Sequence, residues 1–591
     1  MMIYKTTLSL FFLILTLTIR TQTIPLDRVY AWDTFGLKDT TTSNFNLIDL
    51  NSQGLVGDGV TANDSLLEGI LNSLSGVGNI LLFPAGTFLF EESIELPSNV
   101  VLKGAGAEET ILKFNQNSSG HSINIQGSIT ADTTKIIHSA AKDSSSLIVY
   151  NSSLFNAADW IRIIQQDADL VNDSWALNTV GQIVQIDTVI NDIIYLSSSM
   201  RTTYDISRDP YIKKISPKSN VGIECLKIIR EDFSDKQWSN IRFSNSVNCW
   251  ISGLESEKCN FSHVELEYSS NISVARSYFH EGHNYGSGGK AYGVLLHFTS
   301  NECFIEDNVF ERLRHSVLLQ AGANGNVIAY NYSRNPYWTD VSFIIPENSA
   351  GELVLHGNWP YANLFEQNVV DNIVIDDSHG SNGPHNTFFR NRARGYGIFF
   401  SAPNSPDQNI VGNEITNEFL PSPYSLFNYN ILGTGHFLYA NNKLGTIDPV
   451  GTDSLQDITY AYSTLPEFLP SNQLGKIGVP QAMEEYTIPA YDRHKYGAIF
   501  SNSCGENHTG ILVNDERSLV YPNPFENNLK IVGPESFGIE VYDSFGKRIY
   551  AKEEIHGLIT LQSKTWANGL YILKLKYAHQ SKTYKLIKNN N

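Results

Sequence analysis

The chain has 591 residues, with 61 acidic and 42 basic side chains and a formal net charge of −19. That length can bury a large core, and 30 Phe, 29 Tyr and a charged fraction of only 17% exclude a disordered chain. The acidic balance excludes a nucleic-acid binder, which needs a basic face to displace counterions, so any polyanionic partner must meet locally concentrated positive groups.

At the start, Lys5 precedes an apolar run from Leu8 to Ile19 and a polar stretch from Arg20 to Thr23. This pattern is a signal peptide over residues 1–23, its core being too short to span a bilayer as a stable helix. No later stretch reaches the roughly 20 apolar residues of a membrane helix, so no span is expected in the mature protein. The cysteines Cys225, Cys249, Cys259, Cys303 and Cys504 make neither a disulfide framework nor a CxxC metal pair. They read as mostly buried small hydrophobes, and disulfides are not expected to hold the fold together.

Next comes Gly57-Asp-Gly-Val-Thr-Ala-Asn-Asp64, then a helical stretch from Leu66 to Leu74, FPAGTF at 83–88 and LPSNVVLKG at 96–104. This opening resembles that of the pectate-lyase-like right-handed parallel β-helix family. The resemblance implies a short N-terminal helix that caps the first coil, where a solenoid would otherwise expose its core and unpaired edges. It implies fold and not chemistry, because lyases, hydrolases and phage adhesins share the opening.

The middle of the chain repeats. Asparagines at 308, 331, 368, 391 and 413 each follow a short β-rich run, in steps of 23, 37, 23 and 22. One turn residue recurring every 20–25 residues marks a solenoid, and strands separated by turns rather than helices specify a parallel β-helix. The asparagines read as a stacked amide ladder, not as catalytic groups. The longer step carries Pro336, Trp338, Asp340 and Pro346, an insertion of the kind that gathers on a binding face.

The end differs in kind. YPNPF at 521–525, VYDSFGK at 541–547, GLYILKL at 569–575 and a basic tail resemble, in order, the C-terminal sorting domain of the Bacteroidetes type IX secretion system. The expected organisation is an all-β chain. Residues 1–23 are the signal peptide, 24–505 a catalytic β-helix, 506–515 a linker and 516–591 a small β-sandwich sorting domain. The resemblance implies export by the type IX machinery, with release or attachment at the cell surface.

Three clusters carry candidate chemistry. The first, residues 279–293, packs His280, His283, Tyr285, Lys290 and Tyr292 among five glycines. It lacks the Lys-Ser/Thr pair of a phosphate loop, and no third ligand with diagnostic spacing joins its histidines. In the second, Arg314 and His315 can share a groove only if a strand ends or bulges between them. Such an Arg would grip a carboxylate or sulfate beside a His base. The third holds His356, Trp359 and Tyr361, then Asp376, Asp377, His379 and His385, then Arg390, Arg392 and Arg394. By period two the three arginines share a strand face and form a positive stripe, while Asp376 and Asp377 are candidates for Ca²⁺ or for acid and base.

Histidine, tyrosine and arginine outnumber carboxylates in these coils, which favours β-elimination on a uronate-containing, algal or plant polysaccharide. His280, His283 and His315 are the candidate bases, Tyr285 and Tyr292 the candidate acids, and Lys290 and Arg314 complete the catalytic set. Trp338, Trp359 and Tyr361 would stack on sugars. Asp340, His356, His379, His385, Arg390, Arg392 and Arg394 would bind substrate, the arginines through its carboxylate or sulfate. The alternatives are an inverting hydrolase using Asp376 or Asp377 with Asp340, two carboxylates flanking the scissile bond, and a non-catalytic glycan-binding adhesin.

Overall fold

Short runs of alternating apolar residues, broken by tight corners instead of helices, set the architecture from residue 46 to residue 443. The structure is a computed structural model that describes residues 23–37, 42–342, 346–416, 428–470, 474–479, 487–497, 504 and most of 519–588. The expected signal peptide, apart from Thr23, and the expected linker at 506–515 lie outside the described residues.

Each coil contributes three strands, and like strands of successive coils pair in parallel. The first sheet runs from Asn46–Asp49 to Phe437–Tyr439. The second runs from Asp58–Ala62 to Asn441–Lys443, and the third from Ile94–Glu95 to Tyr429–Asn430. The last two join where the long strands Val369–Asp376 and Arg392–Phe400 turn the corner between them. Ile223, Ile251, Val274, Ile305, Ile328 and Phe365 point inward from the first sheet into one continuous apolar core. Helix α1 (Asp64–Ser73) caps the first coil, with Leu67 buried and Ile70, Leu71 and Leu74 packed on the same core.

The asparagines form the expected ladder at the corner between the first and second sheets. Asn308 Nδ2 donates to Asn331 Oδ1 at 3.0 Å, Asn331 to Asn368 at 3.0 Å, Asn368 to Asn391 at 2.9 Å, Asn391 to Asn413 at 3.1 Å, and Asn413 to Asn441 at 3.0 Å. The residue before each asparagine is left-handed: Asp307, Tyr330, Gln367, Arg390, Gly412 and Ala440 have φ between 53° and 68°, as the two-residue corner requires. A second ladder, not expected from the sequence, runs through Asn326, Asn363, Asn386 and Gln408 at the corner between the third and first sheets.

The region 24–505 is more than a solenoid. Residues 128–216 leave the coils after Ile123–Gln126 and build a separate six-stranded antiparallel sheet with its own core around Ile161, Val184, Ile194 and Tyr204. This subdomain docks on the corner between the third and first sheets, where Asn301 Nδ2 donates to the Ile183 carbonyl and Tyr361 Oη to the Gly181 carbonyl. The described residues of 449–470, 474–479 and 487–497 form a strap over the outside of the first sheet. Its Leu455, Ala461 and Ile477 cover Val327, Leu364 and Val411, and it ends in helix α2 (Pro489–Lys495) beside the second sheet.

Cys225 and Cys504 form a disulfide, while Cys249, Cys259 and Cys303 are buried thiols. Three of the five are thus the buried small side chains expected, and the other two make one covalent link. Cys225 sits at a corner of the coil, and chain 279 residues away comes back to meet it. At the C-terminus, a three-stranded and a four-stranded antiparallel sheet enclose a core of Leu529, Ile531, Val541, Leu573 and Leu575, the expected small sandwich.

Candidate active site

The third sheet lies between two raised edges. The inserted subdomain stands on one, and the chain at 281–291, 335–342 and 346–350, which links the second sheet to the third, stands on the other. Along the sheet's outer surface one row is apolar and buried: Leu295, Leu318, Val354, Val374 and Phe399. The next row is polar. The register pairs Glu267 with His297 and His356 with Asp376, and Leu296 with Leu319 and Leu319 with Leu355, so Glu267, His297, Gln320, His356 and Asp376 occupy successive rungs.

His356 Nδ1 lies 2.6 Å from Asp376 Oδ2. Ser378 Oγ donates to the same carboxylate at 2.7 Å and Ser401 Oγ at 3.1 Å. Burial opposes ionisation of Asp376, but the His356 ring and Ser378 outweigh it and hold the carboxyl well below its ordinary range. The His379 ring stands edge-on to His356, centroids 4.9 Å apart, and its Nδ1 is 2.8 Å from Asp173 Oδ2 of the inserted subdomain. Asn358 Nδ2 donates to Asp173 at 3.0 Å and fixes that carboxylate in turn. Two carboxylate–imidazole pairs thus face each other, one built on the coil and one completed by the insertion.

Aromatic rings continue the wall. Trp175, 43% exposed, meets both His379 and Phe298 edge-on, at 5.6 and 5.9 Å. Phe298 stacks on His297 at 4.1 Å and on Tyr268 at 5.3 Å. Such rings offer apolar faces at the height of the polar row, the arrangement that suits a sugar ring. Asp173, Trp175 and His297 were not singled out from the sequence, since nothing local marks residues that matter only through docking.

His315 lies beside this group, its ring 5.9 Å from that of His356 and 5.1 Å from that of Tyr292. The strand His315–Leu319 begins between Arg314 and His315, but the two side chains do not share the groove. His315 is nonetheless buried. Its Nδ1 is 2.7 Å from the Gly351 carbonyl, so that nitrogen carries the hydrogen. Burial, then the Arg314 guanidinium and the neighbouring His356 ring, hold the ring well below its ordinary range. Tyr292 is buried as well, and burial raises its hydroxyl pKa. Arg314 donates to the Gly286 carbonyl at 2.9 Å and lies over Trp338, so it braces a loop instead of reaching into the cleft.

The other expected site residues do not converge here. His280 sits on the second sheet, 3.0 Å from Glu255. His283 meets the Arg230 carbonyl at 3.0 Å, Tyr285 donates to Glu281 at 2.8 Å, and Lys290 pairs with Asp235 at 3.3 Å. Asp340 is exposed and accepts from Ser287, far in the chain's path from the Asp376–Asp377 pair. Trp359 is half-buried in a small apolar cluster with Tyr361, which is itself buried beneath the insertion, so Tyr361 offers no face to a sugar. His385 meets Tyr30 at 3.0 Å.

The three arginines do not form a stripe. Arg390 stands in a left-handed corner, buried, donating to the carbonyls of Leu455, Asp457, Ile477 and Val479 in the strap. Arg392 pairs with Glu414 at 2.7 Å and Arg394 with Asp371 at 2.9 Å, both on the second sheet. The physical reason is the corner and the pairing: Arg390 sits in a left-handed residue before the strand and turns to the strap, while Arg392 and Arg394, on one strand, are each taken by a carboxylate.

Among the described residues, two groups bring metal-type ligand atoms within 4.8 Å of one another, Glu255–Glu257–His280 and Glu265–Glu267–His297. The Lys227 ammonium already bridges the first pair of glutamates at 2.7 Å, and Arg242 pairs with Glu267 in the second. Asp376 and Asp377 share Ser401 as a hydrogen-bond donor.

Residues 47–206 match the family described as rhamnogalacturonase A/epimerase, pectate lyase-like, and residues 519–589 match the secretion system C-terminal sorting domain. The chain is a parallel β-helix protein with a sorting tail. That tail assigns it to type IX secretion, to the cell surface or beyond. No helix among the described residues is long and apolar enough to cross a membrane. No curated protein matches the chain by sequence.

Among solved structures, the tailspike gp49 of Pseudomonas phage LKA1 is similar at TM-score 0.47 and 14% identity, over 62% of this chain and 64% of that one. This chain thus spans about 64% of that tailspike's length. An exopolygalacturonase of Thermotoga maritima is similar at TM-score 0.30 and 12% identity, over 68% and 92%. The Gp54 tailspike of Acinetobacter baumannii bacteriophage AP22, solved with a capsular saccharide, is similar at TM-score 0.34 and 12% identity, over 68% and 76%.

Proposed function

We propose that the protein is a secreted enzyme that cleaves an acidic polysaccharide by β-elimination in the third-sheet cleft. The observation that carries this reading is the pair of imidazoles, each backed by a carboxylate, with centroids 4.9 Å apart. His356 takes the proton from the carbon next to the uronate carboxyl group. The electron pair forms a carbon–carbon double bond and expels the glycosidic oxygen, which takes a proton from the more exposed His379. No water is consumed. Asp376 and Asp173 orient the rings, while Gln320, one rung away, offers a donor to the uronate and Trp175 a face to a neighbouring sugar.

Inverting hydrolysis fits less well. It needs two carboxylates about 6.5–9.5 Å apart that are free to act on the bond and on water. Glu267 and Asp376 lie four rungs apart, roughly 19 Å at 4.8 Å per rung, and the site's own pair, Asp173 and Asp376, are each turned onto an imidazole, His379 and His356. Asp376 and Asp377 meet one serine hydroxyl and cannot flank a sugar. The matched family description, with its pectate-lyase-like members, supports an acidic glycan.

The test is incubation with a panel of uronate polymers. Elimination gives products that absorb in the ultraviolet and weigh one water less than hydrolytic ones. New reducing ends without that absorbance would reassign the enzyme as a hydrolase, and glycan retention without any product would leave a binding protein.

A further inference from the structure

The strand Val369–Asp376 passes from the second sheet to the third at a break in its ladder, where the register with Arg392–Phe400 shifts between Val370 and Asn372. At that bend the backbone N–H groups of Asp371 and Asn372 donate to a side chain, Glu352 Oε2. Glu352 Oε1 lies 2.6 Å from Ser333 Oγ, which lies 2.7 Å from Ser316 Oγ. Glu352 also stands immediately before the strand Leu353–His356, and its own N–H donates to the Asn372 carbonyl at 3.0 Å. One carboxyl group thus braces the start of both strands whose far ends carry His356 and Asp376.

Glu352 is fully buried. Among the described residues it forms no ion pair, and the Arg394 guanidinium that bears on it pairs with Asp371 at 2.9 Å instead. A charge in that position is costly. The contacts fit the neutral acid: Oε2 is the carbonyl oxygen that accepts two N–H groups, and Oε1 is the hydroxyl that donates to Ser333, which donates in turn to Ser316. Burial, then the Asp371 charge, raise the Glu352 carboxyl well above its ordinary range. Burial raises Asp371 too, but Arg394 and Arg334 oppose it, so Asp371 keeps the charge and Glu352 the proton. Of the other titratable groups at the corner, Tyr332 lies under Arg394, and His315, beside Ser316, is turned to the Gly351 carbonyl.

We infer that Glu352 is a pH-operated latch beneath the third-sheet cleft: as a neutral acid it holds the corner from which the His356 and Asp376 strands leave, and its ionisation in alkaline medium releases that corner. The proton passes to hydroxide as water, and the carboxylate left behind is buried, has no cation of its own and repels Asp371. The effect on activity rests on the cleavage reading, and the effect on stability does not.

Glu352→Gln keeps the pattern and has no proton to lose, its carbonyl accepting the two N–H groups and its amide donating to Ser333. The unfolded chain ionises Glu352 above the ordinary value of about 4.3, while the folded chain keeps the proton to higher pH. Wild-type stability therefore falls as pH rises through that interval, and the variant lacks this fall. Melting of the two full-length proteins should differ little at about pH 5 and favour Glu352→Gln by about 5 °C at about pH 9. On the polymer that the uronate panel identifies, the ratio of kcat, variant over wild type, should rise about tenfold from about pH 7 to about pH 9, with KM unchanged.

A melting difference that is equal at both pH values, or a wild type more stable at the alkaline one, overturns the proposal, and so does a flat kcat ratio. If Glu352→Gln does not fold, amide exchange on the wild type decides. Residues 371–376 should lose protection at alkaline pH beyond what hydroxide itself accelerates, and unchanged protection overturns the latch. A pH-dependent melting difference with no unsaturated product from any polymer would defeat the elimination reading and leave the latch standing.

Discussion

Burial isolates His263 from solvent: Nε2 lies 3.0 Å from the Glu281 carbonyl and Nδ1 2.8 Å from Ser256 Oγ. That burial, with His280 nearby, holds its pKa down at about 3, and burial holds His121 at about 4. The unfolded chain takes up these protons near the ordinary value of about 6.5, so below it the unfolded state binds more protons and is favoured. Stability contributed by the neutral rings is therefore complete above about pH 6.5 and falls toward pH 4, at about 1.4 kcal/mol per group per unit. Urea melts at neutral and acid pH should show that loss, and His263→Gln should flatten it whatever it does at neutral pH. At the cleft, His356→Ala should lower turnover about 10²–10⁴-fold with the melting temperature kept. His283→Ala, whose ring is tied to the Arg230 carbonyl, should turn over almost normally. Equal losses in steady-state assays of both variants would remove His356 as the base.

The corner between the first and second sheets is the element that repeats most regularly. Asn331 donates to the Ile305 carbonyl and to Asn368, and accepts from both the backbone and the side chain of Asn308. Replacing it with alanine orphans buried groups in two neighbouring coils, so Asn331→Ala should cost about 2–5 kcal/mol in a denaturant titration. The strap is held differently: Arg390 grips four of its carbonyls, and Arg493 donates to Asp307 at 2.7 Å. Just beyond it, Cys504 closes a loop of 279 residues onto Cys225. A reductant should lower stability by about 2–5 kcal/mol in the native protein and have no effect on Cys504→Ser.

At the scale of the whole molecule, the tail and the working part carry separate instructions. Deleting residues 519–591 should leave the protein inside the outer membrane, as cell fractionation would show, because the sorting sandwich is what the secretion system reads. The β-helix was legible in the sequence because its signals are local and recur. Asn308, Asn331, Asn368, Asn391 and Asn413 announce a corner every coil, and FPAGTF and LPSNVVLKG announce the first turns. His356, Asp376 and His379 could be named as chemistry, but not as neighbours of Asp173 and Trp175. Those two lie in the connection between two strands of the inserted subdomain at 128–216, whose alternating strands read locally like any coil strand.

The chain by itself determined the solenoid, its cap, its amide ladder and its sorting tail, since each depends on residues close together or spaced by one turn. Only the tertiary structure decided which histidines meet, because the three-sided coil sends neighbours in sequence to different sheets. It alone brought an antiparallel excursion of the chain back to complete the second carboxylate–imidazole pair.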